Sequence, residues 1–303
     1  MGAGFATGRE LALYFSTANT LTLVMTSVFM ALSYALFLIV GRSGSYLYLK
    51  NSIIGHIMSC VMRLAVVAGF VVMTAGAEEL LYEVIGVRYI GVLTGIISAF
   101  IVSTGMRGVK GVSVVLVPLL LCLIFVLSHG AYGALGSVTS ARSALTYVGM
   151  NMLMAGYIIL EEGEHVSNRD IAISSTLVAV IFAVILVVVM RAIGDYTTCP
   201  MPIYALSVAR GHCNLGALLI FIAILTTLIG YGTLIYEGVQ SLFGYRSIAL
   251  MTLVVLSAIS AGVHFVGAVA LVYSIEGIIG LIFVFYVLIG YIYMRYVHIK
   301  NSG

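Results

Sequence analysis

Apolar runs of about 20 residues recur along almost the whole of this chain. Each is long enough to cross a hydrocarbon layer roughly 30 Å thick at about 1.5 Å per helical residue. They read as spans at about 20–41, 53–76, 87–106, 112–129, 141–160, 170–193, 213–236, 247–268 and 275–296, with a shorter apolar piece over 8–17. A soluble core cannot absorb that many. Only 8% of the 303 residues are charged, against about 25% in a soluble domain, so lipid is the expected solvent. In lipid every backbone polar group has to be satisfied internally, which makes the spans helices. The expected fold is therefore an all-α polytopic membrane protein of about 10 transmembrane helices, forming a single membrane domain over 1–303 with short connections.

Lys and Arg set the expected orientation, because positively charged loops stay in the cytoplasm. With the 41–53 connection inside, Arg42, Lys50, Arg107, Lys110, Arg169, Arg246, Arg295 and Lys300 fall on the cytoplasmic side. Arg88, Arg142, Arg191 and Arg210 fall opposite, with Glu78, Glu79 and Glu83. This places the C-terminus in the cytoplasm and the chain in the plasma membrane. The first short piece then has too few residues to have begun inside, and an upstream half-helix is expected to complete it. Trp is absent, so the 19 Tyr supply the interfacial belt, among them Tyr46, Tyr48, Tyr286, Tyr291, Tyr293 and Tyr296.

Several functions are disfavoured by what the chain lacks. The net charge of +3 is scattered and forms no basic stripe for nucleic acid. No phosphate-binding Gly-x-x-x-x-Gly-Lys-Ser/Thr motif is present, so ATP is not expected as an energy source and no organic cofactor is implied. The opening residues lack the basic start and apolar core of a signal peptide. Cys60, Cys122, Cys199 and Cys213 show no metal or redox spacing and read as small core residues. Cys199 and Cys213 flank one polar connection and would pair only in an oxidising compartment. Glu161, Glu162, Glu164 and His165 read as solvated charges at a helix end rather than a metal site. No nucleophile has a positioned base, and an enzyme is not expected.

The stretch Gly2-Ala3-Gly4-Phe5-Ala6-Thr7-Gly8-Arg9-Glu10 carries the most information. Three of its glycines fall within seven residues and make a poor continuous helix, while Thr7-x-x-Glu10 fits a capping box that starts a new one. The segment reads as a break followed by a half-helix. A helix N-terminus at membrane depth suits an anionic group such as a carboxylate, and freed carbonyls suit a cation. Close packing of small residues is the alternative. Glu10 reads as a cap in preference to a proton carrier. Arg63, about ten residues into its span, needs a partner or a cavity; Glu10 is the acidic group nearest in depth, and a substrate carboxylate is the rival partner.

That glycine segment, Val72-Met73-Thr74-Ala75-Gly76-Ala77, and Tyr147 with Asn151 before Ile158-Ile159-Leu160 resemble the YkvI-like bacterial membrane proteins. That family is similar to the amino acid–polyamine–organocation superfamily with its LeuT fold of two inverted five-helix repeats. The resemblance implies repeat one over 1–130, repeat two over 138–303, and a second broken helix at Tyr147-Val-Gly149-Met-Asn151-Met-Leu-Met-Ala155-Gly156. Its substrate site would then comprise Gly2, Ala3, Gly4, Phe5, Ala6, Thr7, Gly8, Tyr147, Asn151 and Gly156. Asn151 either hydrogen-bonds substrate or satisfies backbone freed by the break. Ala223, Thr226 and Thr227 share one helical face, so one carbonyl and two hydroxyls can converge on Na⁺. The superfamily's sodium site has the same spacing, although such threonines also commonly bond a preceding carbonyl. The implied function is a secondary transporter, a Na⁺- or H⁺-coupled symporter for a small solute such as an amino acid or related carboxylate. A non-transporting membrane sensor that keeps the fold, or a truncated inactive remnant, is the alternative. Partners would be membrane lipids and the small-molecule substrate.

Overall fold

A computed structural model of the chain describes residues 3–44, 52–104, 106–130 and 133–302. Among them the regular structure is helical, with one isolated parallel bridge, Ala18 to Val138. In chain order the helices are α1 (Ala3–Thr7), α2 (Arg9–Phe15), α3 (Thr20–Arg42), α4 (Ile53–Ile85), α5 (Gly91–Ser103), α6 (Met106–Ser128), α7 (Ala141–Gly163), α8 (Asn168–Ile193), α9 (Pro202–Ala209), α10 (Cys213–Phe243), α11 (Arg246–Ser260) and α12 (Phe265–Ser302). A 3₁₀ turn, Gly194–Tyr196, follows α8.

Six helices among the described residues are long and apolar enough to cross a membrane: α3, α4, α7, α8, α10 and α12. The chain is an all-α membrane protein that spans several times. Nine full spans were expected from hydropathy; three of them, 87–106, 112–129 and 247–268, are not among the six, the described apolar part of 112–129 running only over Pro118–Ser128, and at 247–268 the cause is local. Residues 261–264, which form a turn between α11 and α12, are largely apolar, so hydropathy fuses them with their neighbours. The expected span 247–268 becomes a 15-residue α11, and α12 starts at Phe265. Similarly, 87–106 shortens to the 13-residue α5. α10 runs on to Phe243, where Gly244 in the left-handed conformation (φ 78°) ends it by donating to Gln240 O.

The distribution of polarity fits lipid. Leu32, Leu64, Phe100, Met251 and Ile289 are exposed, whereas many Thr and Ser hydroxyls are buried. The buried hydroxyls donate to carbonyls three or four residues back: Thr26 to Thr22 O, Ser27 to Leu23 O, Thr74 to Phe70 O, Ser98 to Gly95 O and Ser257 to Leu253 O. Such bonds let small polar side chains line close helix contacts without stranding a polar group.

The chain divides into two compact units. One comprises 1–16, 66–135 and 188–272; the other comprises 17–65, 136–187 and 273–303. In the first unit α10 is central, packing on α1, α5, α6, α9 and α11. Gly95 of α5 lies where an added Cβ would be 2.2 Å from Ser257 Oγ, so α5 and α11 meet at van der Waals limits. Arg210 ties the end of α9 to the end of α6, donating to Leu127 O (2.8 Å) and His129 O (2.6 Å). These carbonyls lie at or just past a helix C-terminus and lack intrahelical donors. Arg210→Met should therefore lower stability by about 1.5–3 kcal/mol, the range for hydrogen bonds to a charged group. Thermal unfolding in detergent checks it, and an unchanged melting temperature would remove Arg210 from this role.

In the second unit α3 and α7 run parallel. Their starts are joined by Asn19 N–H to Val138 O, Val138 N–H to Thr17 O, Asn19 Nδ2 to Thr139 Oγ1 and Ser140 N–H to Thr22 Oγ1. Asn19 and Ser140 cap their own helices by accepting from Thr22 N–H and Ser143 N–H. Their far ends meet at Gly41, where an added Cβ would lie 2.0 Å from Leu160 O. α12 crosses α7 as closely: a Cβ at Gly280 would lie 1.9 Å from Gly149 O, and one at Gly149 2.3 Å from Gly277 O.

Candidate functional site

The break near the chain start is real and sits on one residue. Gly8 adopts φ 77°, ψ −7°, a left-handed conformation that costs an L-residue roughly 1–2 kcal/mol. Before it, α1 closes with Gly8 N–H on Phe5 O; after it, Ala12 N–H bonds Gly8 O. Thr7 Oγ1 donates to Gly4 O (2.9 Å) and accepts from Arg9 N–H (3.2 Å). The expected capping box is thus displaced. Gly8 takes the cap position instead of Thr7, and the Thr7 hydroxyl accepts from the amide of Arg9. Ala3 to Thr7, expected as irregular backbone, forms a helical turn.

The surroundings of the break come from the first unit. Phe5, Ala6 and Thr7 are buried, and α1 packs against α10. A Cβ at Gly8 would lie 3.1 Å from Pro202 Cβ and 3.2 Å from Ile203 Cγ1, so the break seats on the first turn of α9. Arg9 reaches the connection before α9, with Nη1 3.4 Å from Thr197 O and 3.5 Å from Cys199 O. Glu10 is buried in α2, whereas Arg63 is exposed on α4. Gly2 lies outside the described residues, as do Tyr46 and Tyr48.

On α10 the three sodium candidates come together. Thr226 Oγ1 and Thr227 Oγ1 each donate to Ala223 O at 2.9 Å. The hydroxyls bond a preceding carbonyl, as one of the two readings of the spacing has it, and the three oxygens lie within hydrogen-bond reach around Ala223 O. A hydroxyl that rotates its hydrogen away from the carbonyl turns a lone pair toward a cation without moving its oxygen.

The second break is not there. α7 is helical without interruption from Ala141 to Gly163, and neither Gly149 nor Gly156 has positive φ. Its glycines provide room for neighbours. Gly149 admits the backbone of α12, and Gly156 seats the edges of Phe37 and Phe283, whose rings meet edge to face at 5.2 Å. Asn151 Nδ2 donates to Tyr147 O (3.0 Å), one turn back in the same helix. Tyr147 is buried with its ring 6.1 Å from that of Phe182. Tyr147, Asn151 and Gly156 are therefore parts of one continuous helix.

All four cysteines are free thiols, Cys199 and Cys213 included. Among the described residues no three His, Cys, Asp or Glu side chains gather as a metal site, so Glu161, Glu162, Glu164 and His165 form none. Sequence reading overlooked Glu276, a glutamate within the apolar run of α12 and buried at 3% exposure. Its signal was available, since an acidic residue in a membrane span marks a functional position by default. Comparison with protein-family models and with curated proteins finds no match.

Proposed function

We propose that the chain is a secondary transporter of a small solute, working by alternating access with Na⁺ or H⁺ as the coupling ion. The observation that carries this reading is the interrupted helix at Gly8, whose first part packs on α10, the helix in which Ala223 O, Thr226 Oγ1 and Thr227 Oγ1 converge. Interrupted membrane helices survive only where protein or a watery cavity covers the exposed backbone, and transporters place solute and ion sites there. The LeuT-like arrangement of ten helices in two inverted repeats belongs to the same proposal. The uninterrupted α7 departs from it, which leaves α1 and α2 as the broken element of the proposed site. A C-terminus in the cytoplasm follows from the distribution of Lys and Arg.

The first test uses Na⁺ alone. A ligand that binds only the folded state raises stability by RT ln(1 + [L]/Kd), about 2.7 kcal/mol at a hundredfold excess over Kd. The melting temperature of the purified protein should rise and saturate with NaCl at constant ionic strength held with choline chloride. The Thr226→Val/Thr227→Val variant, which keeps side-chain shape and removes both hydroxyls, should lose the response. An equal rise in the variant would rule out the α10 oxygens as the ion site. Proteoliposomes that accumulate no amino acid from a labelled panel under either a Na⁺ or an H⁺ gradient would rule out the transport reading for that solute class.

A further inference from the structure

Arg9 opens α2 within the short apolar piece 8–17 and stands one residue past the break at Gly8. An arginine in a membrane segment marks a functional position by default, because lipid cannot compensate its charge. The compensation that Arg9 finds is small. Nη1 reaches Thr197 O at 3.4 Å and Cys199 O at 3.5 Å, beyond the roughly 2.7–3.2 Å range of N–H···O hydrogen bonds. Nε is closed to solvent and has no acceptor. Arg210, in the same unit, shows what a structural arginine achieves, with Nη1 2.8 Å from Leu127 O and 2.6 Å from His129 O. Among the described residues no carboxylate forms an ion pair with Arg9. Glu10 projects about 100° further round the helix, and Asp195 is exposed on the 3₁₀ turn two residues before Thr197.

The neighbouring helix adds to the positive charge. Gly8 abuts Pro202 and Ile203 in the first turn of α9. That helix starts with no side-chain cap and no acidic residue in its first turn, so its partial positive charge stands beside the guanidinium without an offset. We propose that Arg9 binds the carboxylate of a small solute, the Nε–Nη2 edge of the guanidinium taking the two oxygens. That edge makes no hydrogen bond among the described residues, and its planar fork matches carboxylate geometry. Arg9 is only partly buried, and contacts as long as those to Thr197 and Cys199 restrain it weakly, so turning the fork toward a ligand forfeits little. The backbone amide of Arg9 takes no part, since Thr7 Oγ1 accepts from it. A carboxylate carries the one negative charge that Arg9 can match, whereas an inorganic dianion would bring a second charge out of water unpaired. Binding at Arg9 is independent of the transport activity proposed above; only the identification of the bound carboxylate as the transported solute rests on that reading.

Thermal unfolding of the full chain in detergent tests the site with five probes: acetate, lactate and glutamate as choline salts, and the amino acids glycine and leucine. NaCl is held constant, and choline chloride balances ionic strength, so a rise with a carboxylate is a preference over chloride. At least one probe should raise the melting temperature saturably. Arg9→Gln should lose that response. Arg9→Lys, which keeps the charge and lacks the fork, should weaken the apparent affinity about tenfold, the worth of one charge-assisted hydrogen bond. No saturable rise with any probe in the wild type, or an equal rise in Arg9→Gln, overturns the proposal. Should Arg9→Gln fail to fold, Arg9→Lys decides, and wild-type affinity in that variant overturns it. A carboxylate that binds through Arg9 but is not accumulated by proteoliposomes under a Na⁺ or an H⁺ gradient keeps the site and removes the transport reading. Uptake of a probe that is undiminished in Arg9→Gln keeps transport and overturns Arg9 as the anchor.

Discussion

Gly280→Val should abolish the folded protein. A Cβ at Gly280 would lie 1.9 Å from Gly149 O and 2.4 Å from Gly149 C, and both obstacles are backbone. No rotamer change relieves that contact; α7 and α12 have to part. Overpacking a core that can adjust costs about 1–3 kcal/mol. Separating two helices along a crossing exceeds that range and takes most of the roughly 5–15 kcal/mol that keeps a domain folded. Gly149→Val meets the same obstacle from the other side, with Gly277 O at 2.3 Å and Leu281 N at 2.5 Å. Detergent-extracted protein should elute as aggregate for both variants. Gly230→Ala on α10 is the control, because nothing lies within 4 Å of its Cβ. It should preserve stability or raise it by up to about 1 kcal/mol through helix propensity. If Gly280→Val elutes and melts like the wild type, α7 and α12 do not cross at these glycines.

These glycines also show where a sequence stops being informative. Hydropathy located the long helices well, since a run of Leu, Ile and Val that must avoid water needs no further instruction. It failed where turns are themselves apolar, as at 261–264, because transfer energy is blind to backbone direction. Two glycines within an apolar run carry two messages that look alike in one dimension: a helix that breaks, or a helix that is approached. At Gly8 the first applies, and neighbouring Thr7 and Arg9 supply the polar groups that a broken backbone needs. At Gly149 and Gly156 the second applies, and only the positions of α12, Phe37 and Phe283 reveal it. The Ala223-Thr226-Thr227 spacing was legible because helical periodicity alone decides which oxygens share a face. Glu276 was equally legible but lay outside the segments where polar residues cluster.

Substitutions at Gly8 should separate the cost of the break from the cost of its seat. Both Gly8 and Gly44 are left-handed, at φ 77° and 67°, but Gly44 has nothing within 4 Å of an added Cβ. Gly44→Ala therefore reports the backbone cost alone, about 1–2 kcal/mol. Gly8→Ala adds contacts at 3.1–3.3 Å with Pro202 and Ile203, so it should lose more than Gly44→Ala, and the difference measures how firmly the break seats on α9. Gly8→Val goes further, because a β-branched side chain is a severe outlier in this region. That variant has two ways to respond. It can unfold, or it can relax Gly8 to a right-handed conformation and join α1 to α2 as one helix, which redirects Arg9 away from Thr197 O and Cys199 O. In either case the saturable rise in melting temperature with NaCl should disappear, because α1 reaches α10 only from its present angle. A Gly8→Val protein that melts normally and still responds to Na⁺ would show that the interruption is dispensable, and the proposed transport site would have to be sought elsewhere on α10.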